Sequence, residues 1–383
     1  MKLGELCILF TDGDWIESKD QSDSGIRLIQ TGNIGNGEFL YKNDKAKYIS
    51  VDTFKRLNCK EVFPNDILVS RLPEPVGRGC IIPAIGEKMI TAVDCTICRI
   101  NENLVDRKYF CYFLESNAYK TQLEQHVTGT TRKRISRKNL SNVEIDIPEQ
   151  AKQKEVVYKL DRLKKTIQNY NRELDLLDEL VRARFVEMFG EYEASVKLSR
   201  YIKELRAGKS LAGKTKCKNK VLKTGAATFG FFDKEQYKYY PAEYMPNPLH
   251  KVEDGDVIIS RMNTPELVGS CSYVFEAPDD MYYPDRLWKT IITEDTNPIF
   301  LWQLMWQQDI RKQIKENSFG TSGTMNNISK VKLLNIKAID VPLELQNQFA
   351  SFVQEVDKSR SRIQKSLETS QELFDSLMQE YFG

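Results

Sequence analysis

A run of basic residues is the part of this chain whose chemistry points most directly to a partner. It follows the flexible residues 128–131 and contains no acidic residue. Guanidinium and ammonium groups on such a loop suit phosphate oxygens and the O6 and N7 acceptors of guanine. The run is therefore a candidate nucleic-acid contact, and the alternative is a basic loop that faces only solvent. Its members are Arg132, Lys133, Arg134, Arg137 and Lys138.

A second loop, residues 320–327, carries hydroxyl and amide groups where the first carries cations. The candidate contacts in this loop are Thr324, Asn326 and Asn327. An asparagine amide can pair bidentately with adenine. Different loop chemistry predicts that the two loops read different bases.

Two arginines, Arg71 and Arg261, each follow an apolar strand that ends in serine. A guanidinium is rarely found in a core, so we expect both side chains to face outward and we take them as candidate DNA contacts. The alternative is a salt bridge to an acid of the same domain. Arg78 and Asn263 lie close by in the sequence and carry the same two interpretations.

Residues 208–215 satisfy the spacing of a phosphate-binding loop. Such a loop follows a buried strand and opens a helix, whereas polar residues precede this one and a predicted strand follows it. We therefore predict that it binds no nucleotide. Lys209 and Lys214 remain candidates for contact with DNA phosphates.

Metal and catalytic motifs are incomplete. Cys95 and Cys98 have the spacing of metal ligands, but there is no second pair and the only histidines are His126 and His250. Zinc needs four ligands, and cysteines three apart on a strand point to opposite faces. Residues 297–300, Asn-Pro-Ile-Phe, are the nearest approach to an adenine-methyltransferase loop. We predict no metal and no catalytic residues.

These candidates stand in two copies of one sequence pattern. Residues 26–34 resemble 220–228, with their Thr31-Gly32 and Thr224-Gly225 turns 193 residues apart, 65–71 resemble 255–261 at an offset of 190, and 131–136 resemble 324–329 at an offset of 193. Because order and spacing both hold, we infer two copies of one folded unit. Short β-rich runs mixed with helical stretches, one of them near residues 107–125, predict an α+β fold for each copy.

A long helix is predicted after each copy, beginning beyond Pro148 and beyond Pro342. Apolar residues in both helices alternate in steps of four and three, which is a heptad seam. Antiparallel pairing would make a rod of about 60 Å for about 40 residues, with an approximate two-fold axis relating the copies. A dimerisation coiled coil or a structural brace is the alternative. The predicted segments are a first domain (1–148), the first long helix (149–190), a second domain (191–342) and the second long helix (343–383).

Composition limits the partner and the compartment only loosely. The 383 residues are 41% hydrophobic and carry a formal net charge of +2, which does not decide the partner. Eight scattered cysteines suggest free thiols in a reducing compartment. No apolar run reaches the length of a membrane span and none resembles a secretion signal, so we expect a cytoplasmic protein without a membrane partner.

In this order, these residues resemble the DNA-specificity subunit of type I restriction-modification systems. The resemblance rests on residues 11–16, both Thr-Gly turns, the strands before Arg71 and Arg261, residues 129–136 and both long helices. It implies two similar α/β target-recognition domains separated by two long antiparallel coiled-coil helices. It also implies recognition of a bipartite asymmetric site in double-stranded DNA, without chemistry in the subunit itself.

The resemblance implies partners as well. Two methyltransferase (modification) subunits would bind the chain, and restriction (translocase) subunits would join through them. S-adenosylmethionine, ATP and Mg²⁺ would belong to those subunits, so we expect no cofactor here.

Two other functions stay open at this point. One is a methyltransferase or nuclease that acts alone, which activity of the purified chain would support. Asp66, Asp94, Asp256 and Asp285 recur at like places in both copies, which favours fold maintenance over nuclease chemistry. The other is a coiled-coil interaction protein that binds no nucleic acid.

Overall fold

A computed structural model describes residues 1–130, 132–320 and 325–383. The chain divides into two compact units, Met1–Arg172 with Gln364–Gly383, and Glu173–Ile363. Each unit therefore contains one predicted domain together with part of both long helices. The two units are described separately below.

The first unit contains two sheets. Its strands are β1 (Cys7–Asp12), β2 (Gln21–Ser22), β3 (Ile26–Ile29), β4 (Tyr48–Ile49), β5 (Glu61–Val62), β6 (Ile67–Ser70), β7 (Gly79–Ile81), β8 (Met89–Thr91) and β9 (Cys95–Ile100). One sheet has the order β1-β9-β6-β7 and the other β2-β4-β3-β8-β5. Its helices are α1 (Val51–Arg56), α2 (Arg107–Glu115), α3 (Asn117–Glu124), α4 (Arg137–Ser141) and the beginning of α5 (Gln150–Phe189).

The single helix expected near residues 107–125 is in fact two helices, α2 and α3. Ser116 separates them because its backbone is extended, with ψ of 159°. The Ser116 hydroxyl accepts a hydrogen bond from the Tyr119 amide and so caps α3. A serine favours this capping position over a helix interior.

The second unit repeats this plan, with a three-stranded sheet in place of the five-stranded one. Its strands are β10 (Ala194–Lys197), β11 (Ile202–Ala207), β12 (Lys220–Leu222), β13 (Tyr237–Tyr239), β14 (Val257–Ser260), β15 (Met262–Asn263), β16 (Cys271–Tyr273), β17 (Met281–Tyr282), β18 (Leu287–Ile292), β19 (Asn326–Asn327) and β20 (Lys337–Ile339). Its helices are the end of α5, then α6 (Pro298–Met305), α7 (Gln308–Asn317), α8 (Lys330–Leu334) and the beginning of α9 (Leu343–Phe382).

The internal repeat is confirmed by strand pairing. The sheet order β11-β18-β14-β16 matches β1-β9-β6-β7, and β12 pairs with β17 in parallel as β3 pairs with β8. The register shifts after Cys7 in β1 and at the same place, after Ile202, in β11. Ser136 and Ser329 likewise cap the equivalent helices α4 and α8. The two copies are therefore one fold encoded twice.

A buried glutamine in the first turn of each long helix makes the same contacts in both units. Gln153 accepts a hydrogen bond from the Asp106 amide at 2.7 Å and donates to Leu104 and Pro148 carbonyls. Gln346 accepts from the Asn297 amide at 2.9 Å and donates to the Asp295 and Val341 carbonyls. Because each glutamine satisfies backbone groups inside the protein, it fixes the long helix to its own domain.

The ends of the apolar seams belong to the domain cores. In the first unit, Val156 and Leu160 of α5 are buried in a cluster that also contacts Phe374 and Leu377 of α9. In the second unit, the later α5 residue Val181 is buried in one cluster with Phe349 of α9. The beginning of one helix thus packs beside the end of the other, which is the expected antiparallel pairing.

Most of the cysteines lie in the domain cores. All eight cysteines are free thiols, and six are buried. Cys95 and Cys98 lie in different core clusters, as alternation along a strand requires. Within the described ranges, no cluster of His, Cys, Asp and Glu could hold a metal ion, and no helix has the length and apolar character of a membrane span.

Candidate nucleic-acid interface

The first loop, residues 128–134, is closed at its base by backbone hydrogen bonds in both directions between Thr128 and Arg134, at 2.9 and 2.8 Å. The next amide, of Ile135, donates to the carbonyl of Arg71, which places the loop beside the end of β6. The Ile135 side chain is fully buried and anchors the loop to the core. A rigid sheet thus supports the basic loop.

The second loop, residues 319–327, is built on the same base. Phe319 and Asn327 exchange backbone hydrogen bonds at 3.0 and 2.8 Å, and the Ile328 amide donates to the Arg261 carbonyl. Asn327 therefore stands where the first unit has Arg134. Thr324, one of the candidate contacts, lies outside the described residues.

A glycine closes the turn at the start of both loops. At Gly129 the backbone has φ of +100°, and an added Cβ would lie 2.4 Å from the Arg132 carbonyl oxygen. At Gly320 an added Cβ would lie 2.1 Å from the Met325 carbonyl oxygen. Real Cβ atoms do not approach that closely, so both loops need glycine for the backbone to fold back.

The first loop presents unpaired cations. The side chains of Arg132, Lys133 and Arg134 are exposed and have no ion-pair or hydrogen-bond partner among the described residues. Lys138, on the exposed face of α4, is likewise without a partner there. Arg137 lies 3.9 Å from Asp12 and is half exposed. Arg132, Lys133, Arg134 and Lys138 thus put four cations without a described partner on the first loop and α4.

Arg71 does not face outward as expected from the sequence. Its side chain is 6% exposed, and Nε lies 3.3 Å from Oδ1 of Asp12 in an ion pair. Its Nη atoms donate to the carbonyls of Val93 and Ile135. The salt bridge within the domain is therefore the role that the contacts support, because Asp12 neutralises the guanidinium and the two carbonyls take its donors.

Arg78 is also occupied inside the domain. Its guanidinium donates to four backbone carbonyls, at 2.6 to 3.0 Å, and so joins the turn after β3 to the loop after β6. The expected contact with DNA would require these bonds to break. The four acceptors are Thr31, Ile34, Leu72 and Pro75.

Arg261 is equivalent to Arg71 but has different neighbours. Where β1 has Asp12 facing Thr96 of β9, β11 has Ala207 facing Trp288 of β18. The guanidinium of Arg261 lies over the Trp288 ring at 5.8 Å and has no ion-pair partner among the described residues. Its Nε is buried without a hydrogen bond. Within the described part of the chain, the equivalent arginine is thus neutralised in the first unit and has no acidic partner in the second.

The structure brings three candidate asparagines together beside Arg261. Strand β15 pairs with β19, so that Asn263 lies opposite Asn326 and Met262 opposite Asn327. The Asn263 amide donates to the Thr228 hydroxyl at 3.4 Å, and the Asn327 Oδ1 is buried without a partner. This arrangement, termed the amide ribbon (residues 262–263 and 326–327), is half exposed.

Lys209 and Lys214 lie on a separate segment between β11 and β12. Both side chains are exposed and have no partner within the described part of the chain. The segment is held by hydrogen bonds from the Gly208 amide to the Pro284 carbonyl and from the Gly213 amide to the Tyr239 carbonyl. It continues into β12, not into a helix, which is why its glycines do not form a phosphate-binding loop.

Sequence analysis missed two features of these surfaces. Asp12, whose carboxylate is shared by Arg71 and Arg137, gave no signal because its partners are distant in the sequence. Phe229 and Phe231, both strongly exposed, stand in the turn after β12. Two phenylalanines flanking a glycine in a predicted turn could have been noticed. The expected equivalence of Asp94 and Asp285 is also wrong. Arg286 occupies the position equivalent to Asp94, and Asp285 is exposed.

Two copies of one α/β fold with exposed and chemically different loops define a recognition protein of two modules. Residues 1–179 match the family described as the type I restriction modification DNA specificity domain. The specificity subunit of the EcoKI type I restriction enzyme from Escherichia coli (strain K12) is 20% identical over 381 residues, which cover 93% of this chain and 81% of that protein. The EcoEI specificity subunit from Escherichia coli is 22% identical over 162 residues, covering 41% of this chain and 27% of that protein.

Solved structures share the fold at low sequence identity. The S subunit of a type I restriction-modification system from M. genitalium superposes with a TM-score of 0.58 and 15% identity, covering all of this chain and 95% of that one. A chain from a structure on complex assembly and conformational transition of the type I system gives a TM-score of 0.54 and 15% identity, with 100% and 96% covered. The comparisons thus show similarity to the type I DNA specificity domain over residues 1–179 and, over the whole chain, the fold of the solved S subunits.

Proposed function

We propose that this chain recognises a bipartite asymmetric DNA site, with each copy of the repeat reading one half. The observation that carries the proposal is the contrast between equivalent loops on one scaffold. The first loop presents unpaired arginine and lysine, and the second region presents amides and a free arginine. Two identical loops would favour a palindromic site, whereas two different loops favour an asymmetric one.

The first copy offers phosphate contacts and guanine recognition. Arg132, Lys133 and Arg134 have no acidic partner among the described residues. Contact with DNA would therefore break no ion pair there. Cations of this kind release condensed counterions from DNA and make affinity depend on salt. An arginine among them can also pair with the O6 and N7 atoms of guanine.

The second copy offers fewer charges and more amides. Asn263 and Asn326 pair in register across the amide ribbon, and their amide groups would exchange present hydrogen bonds with Thr228, Thr264 and Ser318 for a base edge. Arg261 adds a guanidinium at the same edge, where it lies over the Trp288 ring and has no ion-pair partner among the described residues. Adenine suits the amides and guanine suits the arginine.

The partners in this proposal follow from the family. Two methyltransferase subunits would bind the chain and carry out adenine methylation with S-adenosylmethionine. Restriction (translocase) subunits would attach through the methyltransferase and use ATP and Mg²⁺. All of these would act on DNA in the cytoplasm.

The direct test is methylation sequencing of DNA from cells that express this chain with its methyltransferase, compared with cells that lack this chain. The proposal expects a split asymmetric motif that appears only with this chain. An intact complex with an active methyltransferase but no new motif would contradict it, and would favour the alternative of an interaction protein without a DNA site.

A second test measures the role of the basic loop. In the assembled complex, Arg132, Lys133 and Arg134 are replaced together by glutamine, and affinity is measured over a range of salt concentrations. Three lost phosphate contacts flatten the slope of log affinity against log salt by up to about 2.7, at about 0.9 each. Glutamine at Lys45, Lys47 and Lys55 of the same unit is the charge-matched control. Equal slopes for both variants would refute phosphate contact by the loop.

A further inference from the structure

The turn after β12 exposes two aromatic rings and buries the residue that follows them. Phe229 is 70% exposed and Phe231 is 59% exposed, whereas Phe232 packs against the core. Two neighbouring phenyl rings in water are a disfavoured arrangement, since each would release free energy on burial. Their exposure on a well-packed turn indicates a surface that is covered in a complex.

The backbone of this turn is held in place by contacts at Gly230 and Thr228. Gly230, between them, has φ of +87°, and its carbonyl accepts a hydrogen bond from the Trp302 indole at 2.9 Å. The Trp306 ring lies 3.5 Å from the position of an added Cβ at Gly230. The Thr228 hydroxyl donates to the Thr224 carbonyl at 3.0 Å. The two rings therefore project from a fixed base.

The rings stand beside the proposed base-reading groups. Thr228, the residue before Phe229, accepts a hydrogen bond from the Asn263 amide of the amide ribbon. Residues 214–223, which lead into the turn, carry five lysines. A partner that meets both rings and lysines presents flat apolar faces together with negative charge. Stacked bases on a phosphate backbone have both properties.

The first copy has the same turn without the rings. Gly37 has φ of +76° and stands where the second copy has Gly230. Its neighbours Asn36 and Glu38 are exposed, and the Glu38 carboxylate would repel phosphate. The aromatic pair is therefore a property of the second copy, not of the fold.

We propose that Phe229 and Phe231 press between bases of the second half-site and unstack one base step there. The inference rests on the proposed DNA-recognition function and adds to it an indirect readout. Apolar side chains that enter a base step kink the duplex, and the cost depends on the sequence that is deformed. The second copy would thus select for an easily opened step, while the first copy would leave its half-site stacked.

The test uses the complete complex of this chain with its methyltransferase, bound to the motif found by methylation sequencing, without methyl donor. Duplexes carry 2-aminopurine at successive positions, because its fluorescence rises when a base is unstacked. The wild-type complex should raise the signal at a step in one half-site, and the Phe229→Ala, Phe231→Ala double variant should lose it. Affinity should fall roughly 5- to 150-fold for each base that loses its stacking partner.

The matched control is the Met245→Ala, Leu249→Ala variant, which removes two other exposed apolar side chains of the same unit. It should keep both the fluorescence signal and the affinity. All variants should unfold at the wild-type temperature, since the deleted side chains are largely outside the core.

Four results would overturn the inference. A fluorescence signal that survives the double substitution would show that the rings do not open the step. A double variant that no longer assembles with the methyltransferase would show that the rings are covered by protein. If the wild-type complex binds its motif without unstacking a base, the inference about the two rings is wrong but the proposed recognition function stands. If no motif is found, both are wrong.

Discussion

Replacing Arg71 and Arg261 with methionine, one at a time, should impair two different properties of the protein. Methionine keeps an unbranched apolar stem and removes the charge and the donors. At position 71 the change removes hydrogen bonds to Val93 and Ile135 and an ion pair with Asp12. Loss of one partner from a buried charged pair costs about 3 to 5 kcal/mol. The first unit should lose about that much free energy of unfolding.

At position 261 the same change removes much less from the folded protein. The guanidinium lies over the Trp288 ring, a contact of about 0.5 to 1 kcal/mol, and its buried Nε has no hydrogen bond to lose. Stability of the second unit should therefore change by less than about 1 kcal/mol. Affinity for the DNA site should fall by about 1 to 3 kcal/mol if Arg261 reads a base.

Stability of each unit is measured by proteolysis in increasing urea, with the fragments identified by mass spectrometry, so that the two units are followed separately. With a slope of about 2 kcal/mol per molar urea, Arg71→Met should lower the midpoint of the first unit by roughly 1.5 to 2.5 M. Affinity is measured by mobility shift with the assembled complex. The reasoning is wrong if Arg261→Met lowers its midpoint as far as Arg71→Met does, or if it leaves DNA affinity unchanged.

Three further outcomes are expected. Gln346→Leu should destabilise the second unit by about 3 kcal/mol or more, because the Asn297 amide and two carbonyls lose a buried partner; urea unfolding that matches wild type would contradict this. Gly129→Ala should weaken DNA binding with little change in thermal unfolding, because an added Cβ would displace the basic loop alone; a mobility shift equal to wild type would count against the loop. Burial raises the pKa of the Cys80 thiol to about 12, so it should react with a thiol reagent at pH 8 only after unfolding; prompt labelling of Cys80 in native protein, mapped by mass spectrometry, would disprove this.

The sequence was sufficient for features that depend on local pattern. The duplication and the long helices follow from residue spacing and side-chain type, and the structure reproduces them. The first long helix ends at Phe189, within the predicted segment 149–190. Such features need only neighbours within a few residues, so they can be seen in one dimension.

Long-range partners could not be predicted. Gln153 and Gln346 look like ordinary polar residues of a helix surface, yet each is buried because a distant loop supplies its hydrogen-bonding groups. Antiparallel pairing of the apolar seams was expected from the sequence. That Val156 and Val181 also meet domain side chains, so that part of each seam belongs to a domain core, could not be seen there.

Arg71 and Arg261 show most clearly what only the tertiary structure decided. Both follow an apolar strand and a serine, so the sequence assigns them one role. The fold places Asp12 beside the first and Trp288 beside the second, from strands that lie far away along the chain. An acid neutralises a guanidinium, whereas an aromatic ring leaves its charge available. The sequence determined where the arginines stand on the strand, and the neighbouring strands determined which of them has a free charge.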